Sequence, residues 1–277
     1  MIAEHPTLSS YVTGLMSKGQ VVFFAEQAEK ALGVNRGAFL DAAERLQRKG
    51  LLFSPRRSFY VVVPPQYLSW GAPPPAWYID DLMKHEGHPY YVGLLKAAEL
   101  HGATHQAVME FQVVTNKRRP KILAGRSLIG FYYRKDIGEV RLGIEEHKTD
   151  TGKMKVSSVE LTALDLIRYP HAAGGLDHVV TVIAELAEKI DPKKFASLSP
   201  SFERSVGQRL GYLLDRTERA EERNLTRDLF ERLANGQSLQ WVELDPGEGV
   251  EADFAAEPIE RDERWHVVVR RLPEADA

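Results

Sequence analysis

Cysteine is absent from the 277-residue sequence, which excludes disulfide bonds and thiolate metal sites. No apolar run approaches the roughly 20 residues that span a bilayer as a helix. The segment Met1–Thr7 lacks the basic and then apolar pattern of a secretion signal. Glycine-rich phosphate loops and the GxSxG nucleophile motif are also missing. We therefore expect a cytoplasmic protein with no membrane partner, no cofactor and no enzymatic activity.

The composition is that of a folded globular protein, with 43% hydrophobic and 27% charged residues. A length of 277 residues fits two domains. The formal net charge of −3 argues against a generally basic nucleic-acid coat. Residues 1–65, however, hold eight basic and five acidic residues, so this segment carries +3 and the remainder −6. A basic segment on an acidic chain is typical of a DNA-binding module attached to another domain.

The first 65 residues predict the element order of a winged helix-turn-helix. Leu8–Met16 and Ala25–Leu32 are predicted helices, and the short β-branched and aromatic segment Gln20–Phe24 lies between them. Asn35 can cap a third helix that runs from about Arg36 to Lys49, because its side chain can accept bonds from unpaired backbone amides. The apolar stripe of this third helix consists of Phe39, Ala42, Ala43 and Leu46. Two predicted strands, Leu51–Phe53 and Phe59–Val63, then flank a basic turn.

A helix that fits the major groove and a basic hairpin tip that reaches phosphate indicate DNA binding. The predicted DNA-binding residues are Asn35, Arg36, Arg45, Arg48, Lys49, Arg56 and Arg57. Two acidic residues on the same helix face leave an alternative open. Asp41 and Glu44 would repel phosphate, and each lies four residues before an arginine with which it can form an ion pair. A solvated face on a protein-binding winged helix therefore stays possible.

A proline-rich segment follows the predicted hairpin. Pro64 and Pro65 end its second strand, and Gly71–Pro75 is typical of a stiff, extended spacer. We therefore predict a winged helix-turn-helix over residues 1–65, a linker over residues 66–77, and a mixed α+β domain over residues 78–277.

Segments with the hydrophobic period of a helix and segments with that of a strand both occur in the second domain. The predicted helices are Asp80–His85, Tyr90–His101, Phe202–Leu214 and Arg227–Leu233. The predicted strands are Glu110–Thr115, Lys121–Ala124, Ser127–Tyr133, Val140–Ile144, Leu239–Leu244 and Trp265–Arg270. Ser157 and Glu160 form a capping-box pattern for a further helix to about Tyr169, and Asp177 can cap another.

Several ordered segments are similar to one family. These are Tyr90–Ala103 (YYVGLLKAAELHGA), Phe111–Val114 (FQVV), Leu161–Ile167 (LTALDLI), Gly174–Leu176 (GGL) and Gln208–Leu214 (QRLGYLL). They resemble the AbiEi-type antitoxins of type IV toxin–antitoxin systems, and with the N-terminal segment the resemblance covers nearly the whole chain. It implies a repressor that binds operator DNA of its own operon and an antitoxin that counters a nucleotidyltransferase-type toxin. The matching segments are apolar, glycine-rich and helical, so no catalytic residue is transferred.

An enzymatic alternative depends on Asp136, Glu146 and Lys148. An aspartate followed on strands by Glu-x-Lys is typical of restriction-type nucleases, in which two carboxylates hold Mg²⁺ and the lysine positions water. The same residues also fit an ordinary charged strand end or turn. The alternative reading is therefore a winged-helix nuclease that depends on Mg²⁺.

Two further groups of side chains have both a functional and a structural interpretation. The basic cluster Lys117, Arg118, Arg119 and Lys121 fits a solvated hairpin turn or a second contact to DNA backbone or toxin. His101 and His105 have a spacing that zinc ligands use, but Gly102 between them predicts a helix end. No third ligand stands at a suitable spacing, so we predict no metal site.

Overall fold

A computed structural model describes residues 7–104, 108–217, 225–235, 238–245 and 257–273. It divides the chain into two compact units. The first consists of Met1–Tyr91, Met109–Lys135 and Glu146–Lys155, and the second of Val92–Val108, Asp136–Glu145 and Val156–Ala277. Each unit is therefore built from three separate stretches of chain. The predicted independent domains, with a boundary over 66–77, stay a prediction.

The N-terminal module, Leu8–Val62, has the helices and strands predicted for a winged helix-turn-helix. Its elements are α1 (Leu8–Met16), β1 (Val22–Phe24), α2 (Ala25–Leu32), α3 (Arg36–Arg48), β2 (Leu52–Arg56) and β3 (Phe59–Val62). The strands form an antiparallel sheet in the order β1-β3-β2. This order brings Phe23 opposite Tyr60, and their rings stack at 5.3 Å. The ring of Phe39 from α3 meets the Tyr60 ring edge-on at 5.3 Å, which closes the core.

The predicted linker folds into short turns. Pro65–Trp70 and Pro75–Trp77 are 3-10 helices, and proline stands at the first position of each, where no backbone N–H is needed. Between them Gly71 has φ +80° and packs against Gly125. A Cβ at Gly125 would collide with the Trp70 carbonyl oxygen, so this approach requires glycine.

The remaining elements of the first unit are a short helix and most of a six-stranded sheet. The helix is α4 (Ile79–His85), and the strands are β4 (Tyr90–Val92), β5 (Glu110–Thr115), β6 (Ile122–Ala124), β7 (Ser127–Tyr133), β8 (Ile144–Thr149) and β9 (Gly152–Ser157). The sheet order is β6-β7-β5-β4-β9-β8. Strands β5 and β7 are parallel over six residue pairs, whereas β6 and β7 form an antiparallel hairpin.

The second unit is mainly helical. Its helices are α5 (Leu94–Leu100), α6 (Val159–Arg168), α7 (Leu176–Ala187), α8 (Pro192–Leu198), α9 (Arg204–Leu214) and α10 (Arg227–Ala234). A small sheet in the order β10-β12-β11 follows. Strand β10 is Val242–Glu243, β11 is Glu260–Asp262 and β12 is Val267–Val269. Nearly all of α6 is buried, which agrees with its continuous apolar sequence.

Four predictions about this region are wrong. Tyr90–Val92 is a strand, and the helix starts only at Leu94, because three aromatic and β-branched residues favour extended backbone. The predicted strand Val140–Ile144 falls mostly in the 3-10 helix Ile137–Gly143. The cap of α6 is Ser158 rather than Ser157, and the cap of α7 is Gly175 rather than Asp177. Strands β8 and β9 were not predicted, because their sequences lack a regular alternation of apolar and polar residues.

Two structural features hold the end of the second unit together. The carboxylate of Asp215 accepts bonds from Thr226 Oγ1 at 2.5 Å, Arg264 Nη1 at 2.8 Å and Trp265 Nε1 at 2.7 Å. The Trp265 ring is fully buried and lies directly against Gly211 of α9. Across the described ranges of the chain, no helix has the length and apolar content needed to cross a membrane.

The contact between Gly211 and Trp265 gives a first prediction. Gly211→Ala should destabilise the protein by about 1–3 kcal/mol, because the new methyl group meets the Trp265 ring and outweighs the gain in helix propensity of about 1 kcal/mol. Gly14→Ala, in α1 with open space around it, should stabilise by about 0.5–1 kcal/mol. Urea unfolding of both variants measures the two signs. A stabilised Gly211→Ala variant would contradict the tight packing.

Candidate nucleic-acid interface

Helix α3 presents one face to the core and the other to solvent. Phe39, Ala43 and Leu46 are buried, as the apolar stripe predicted. Asn35 caps the helix as predicted, since its Oδ1 accepts a bond from the Ala38 amide at 2.9 Å. The Asn35 side-chain oxygen is therefore committed to the helix end. The outward face exposes Arg45 and its neighbours.

Arg36 at the start of α3 is held by two partners. Its Nη1 pairs with Glu29 Oε1 of α2 at 2.7 Å, and its Nη2 donates to Ser58 Oγ at 3.0 Å. The bond to Glu29 raises the pKa of Arg36 above its ordinary value. Ser58 has φ +64° in the turn between β2 and β3. Arg36 thus links α2, α3 and the hairpin turn, which makes it a positioning residue.

The hairpin turn is fixed from within and from α4. Ser54 Oγ lies 3.0 Å from the Arg56 carbonyl oxygen and 2.9 Å from that of Phe59. His85 Nε2 lies 3.2 Å from the carbonyl oxygen of Arg57. The His85 ring also stacks on Phe24 at 5.2 Å. These contacts leave the Arg57 side chain exposed at the tip.

Glu86 is the meeting point of two predicted DNA-binding regions. Its Oε1 accepts from Arg56 Nε at 3.0 Å and also pairs with Arg119. The Glu86 side chain is only 9% exposed, so this ion pair is well shielded from water. Arg56 and Arg119 are therefore used internally, and the shared carboxylate brings the hairpin turn next to the basic cluster.

The remaining members of the basic cluster behave differently from one another. Lys121 Nζ lies 2.6 Å from Glu110 Oε1. Burial alone would raise the pKa of Glu110, but its bonds with Lys121 and with Tyr132 lower it below its usual range. Arg118 is exposed and stacks over the Tyr133 ring at 5.0 Å. Lys117 and Arg118 are thus the members that pair with no acidic side chain of a described residue.

Among the predicted DNA-binding residues and the basic cluster, five exposed side chains make no hydrogen bond or ion pair to any residue that the structure describes: Arg45, Lys49, Arg57, Lys117 and Arg118. Arg48 instead pairs with Glu44 at 2.5 Å, as their spacing predicted. The other predicted pair, Asp41 with Arg45, is not formed. Side chains that are exposed and uncompensated can approach phosphate without first breaking an internal ion pair.

The nuclease pattern does not form the expected strand arrangement. Asp136 precedes a 3-10 helix instead of ending a strand, and it belongs to the second compact unit. Glu146 belongs to the first, and its Oε1 pairs with Lys153 Nζ at 2.6 Å. Lys148 is exposed on β8. Within the described residues no group of three or more histidine, aspartate or glutamate side chains is placed to hold a metal ion.

The histidine pair is only half described. His101 Nε2 lies 2.7 Å from the Ser157 carbonyl oxygen, so this ring nitrogen is used in the fold. His105 lies outside the described residues.

Comparison with known proteins supports the family resemblance. Residues 91–216 match the model of the AbiEi antitoxin C-terminal domain. The crystal structure of the RV2827C protein from Mycobacterium tuberculosis is similar, with a TM-score of 0.65 and 17% identity over 94% of this chain and 90% of that chain. At this identity the similarity concerns the fold. No curated protein matches the sequence.

Two residues that position the hairpin, His85 and Glu86, were not predicted from the sequence. Both stand about 30 residues after the turn that they hold, so no local pattern connects them with it. The sequence offered one signal. The hairpin turn contains no acidic residue, so an ion-pair partner of Arg56 had to come from another part of the chain.

The shielded position of Glu86 gives a second prediction. Glu86→Gln should lower the free energy of unfolding by about 2–3 kcal/mol, because Arg56 and Arg119 keep their charges and lose the carboxylate. Glu44→Gln removes an ion pair whose two side chains are 59% and 73% exposed, and it should cost at most about 1 kcal/mol. Chemical denaturation of both variants tests the difference. Equal effects would show that Glu86 does not anchor the hairpin.

Proposed function

We propose that this protein is a DNA-binding repressor of its own toxin–antitoxin operon and an antitoxin that counters a nucleotidyltransferase-type toxin. The observation that carries the DNA-binding part is the set of uncompensated cations on the first unit. Arg45 and Lys49 stand on the predicted recognition helix, and Arg57 stands at the tip of the predicted wing. The element order and strand order of the N-terminal module support the same assignment.

The basic cluster extends the proposed DNA surface beyond the wing. Because Arg56 and Arg119 meet at Glu86, the exposed Lys117 and Arg118 belong to a loop beside the wing turn. Phosphate contacts from such a loop would be independent of sequence and would set the register of the protein on the duplex. Asp41 and Glu44 lie on the same helix and repel phosphate, so they reduce the attraction that Arg45 and Lys49 provide.

The antitoxin part is supported by the AbiEi domain match over residues 91–216. The nucleotidyltransferase class of the toxin comes from the same resemblance. The proposed DNA contacts Lys117 and Arg118 lie within the matched residues, whereas Arg45, Lys49 and Arg57 precede them. Substitutions at these last three positions would therefore separate the two activities. A cytoplasmic location and the absence of an enzymatic step complete the proposal.

The DNA-binding part is tested by titrating DNA from upstream of the gene against scrambled DNA at several salt concentrations. The wild-type protein should prefer its own upstream sequence and bind less tightly as salt rises. The triple variant Arg45→Ala, Lys49→Ala, Arg57→Ala should reduce the salt slope by about 3 and weaken binding by at least about a hundredfold. Each lost phosphate contact releases one counterion fewer, which is the reason for the smaller slope.

The matched control is Lys18→Ala, Lys30→Ala, which removes two exposed cations of the N-terminal module away from α3 and the hairpin. This variant should bind within about threefold of the wild type, because salt screens the attraction between DNA and cations that do not contact it. Unchanged binding by the triple variant would reject the residue assignment. Absence of any sequence preference at every salt concentration would reject DNA recognition and favour a protein-binding winged helix.

The antitoxin part is tested by expressing the full-length chain and its neighbouring toxin from unrelated promoters. The wild-type chain should restore growth. The triple variant should restore it equally well, because none of its three substitutions falls within residues 91–216. Failure of the wild type would reject the antitoxin role, whereas failure of a folded triple variant alone would reject the separation of the two activities.

A further inference from the structure

A polar cleft of about 430 Å³ lies in the first unit. Its volume falls within the range of small-molecule sites. Helices α1 and α2 and strand β1 of the N-terminal module form one side, and residues near α4 and the β8–β9 turn form the other. The polar or aromatic side chains that matter for recognition are Tyr11, Gln20, Gln27, Trp77, Asp81 and Thr151.

Several hydrogen-bonding groups of this cleft are unused by the part of the chain that the structure describes. The Tyr11 hydroxyl and the side-chain amide of Gln20 make no hydrogen bond to a described residue. Gln27 accepts a bond from the Phe24 amide at 3.3 Å through Oε1, which leaves its NH₂ group available. Three side chains from separate elements therefore offer donors and acceptors to the same space.

Asp81 supplies the charge of the cleft. Its neighbour Asp80 accepts from Tyr90 at 3.0 Å and pairs with Lys84 at 2.5 Å, whereas Asp81 makes no such bond to a described residue. The Asp81 side chain is exposed at the cleft. The lining contains no lysine, arginine or histidine. A ligand would therefore meet one carboxylate and no positive charge.

Trp77 forms a fixed wall of the cleft. Its Nε1 donates to Asp150 Oδ2 at 3.0 Å, and its carbonyl oxygen accepts from Thr151 Oγ1 at 2.8 Å. The Tyr67 ring meets the Trp77 ring edge-on at 5.1 Å. An indole held in this way is preorganised to attract a cation over its face.

We propose that this cleft binds a small organic cation, a primary amine or guanidinium with at least one further hydrogen-bonding group. The cationic nitrogen pairs with Asp81 and lies against Trp77, while Tyr11, Gln20 and Gln27 bind the remainder. Such a ligand touches both the N-terminal module and the α4 region. The site goes beyond the proposed function and does not depend on it, because binding is measured without DNA or toxin.

The test is calorimetric titration of the purified full-length protein with cadaverine, agmatine and arginine. Glutarate and pentanediol are the anionic and neutral matches of cadaverine, with the same five-carbon chain. At least one of the cations should bind saturably with one site per chain, and neither match should bind. Lack of saturable binding by every cation at millimolar concentrations, or tighter binding of glutarate, would overturn the proposal.

Two variants locate the binding. Asp81→Asn keeps the shape of the side chain and should weaken cation binding at least about tenfold through loss of the ion pair. Gln20→Trp places bulk in the cleft at an exposed position and should abolish binding while thermal unfolding stays unchanged. Glu139→Gln, an exposed acid of the second unit, is the matched control and should bind as the wild type does. Equal binding by all variants would place the cation elsewhere and reject the site.

Discussion

The carboxylate of Glu86 fixes the geometry on which the proposed interface depends. Two guanidinium groups, from Arg56 and Arg119, pair with the same oxygen, Oε1, of a side chain that is almost completely buried. The buried carboxylate stabilises the positive charges of both arginines. Removing the carboxylate or the arginines would leave a buried charge without a partner, which destabilises the fold. The hairpin turn and the basic loop therefore cannot move apart cheaply, and their exposed cations keep a constant spacing.

The division between arginines that form internal ion pairs and those that do not determines which side chains are available for binding. Arg36 and Arg56 serve the fold, since each links elements that are distant in sequence. Arg45, Lys49 and Arg57 are left uncompensated by described residues. A positive charge that is not neutralised internally has the largest effect on an approaching polyanion, because no ion pair has to be broken first. The protein thus separates the arginines that build the surface from those that act on it.

Sequence periodicity was sufficient for the N-terminal module and for the long strands. Helices α1 and α2 and strands β5 and β7 have the predicted bounds, because capping residues, glycine stops and alternation all agree there. Periodicity gave a wrong prediction at Tyr90–Val92. This strand stands directly before helix α5, so its apolar residues were assigned to the apolar face of the helix. Pairing was least predictable: the contact of Arg56 with Glu86 spans 30 residues, and only the folded chain shows that a predicted DNA contact is internal.

The discontinuous make-up of the first unit affects how it forms on the ribosome. The N-terminal module can fold locally as soon as it emerges, since its core lies within Leu8–Val62. The rest of that unit must wait, because its last stretch is Glu146–Lys155. Contacts between residues so far apart in sequence form late and slowly. During synthesis the nascent protein therefore passes through a stage in which its N-terminal module is complete but the sheet beside α4 is not.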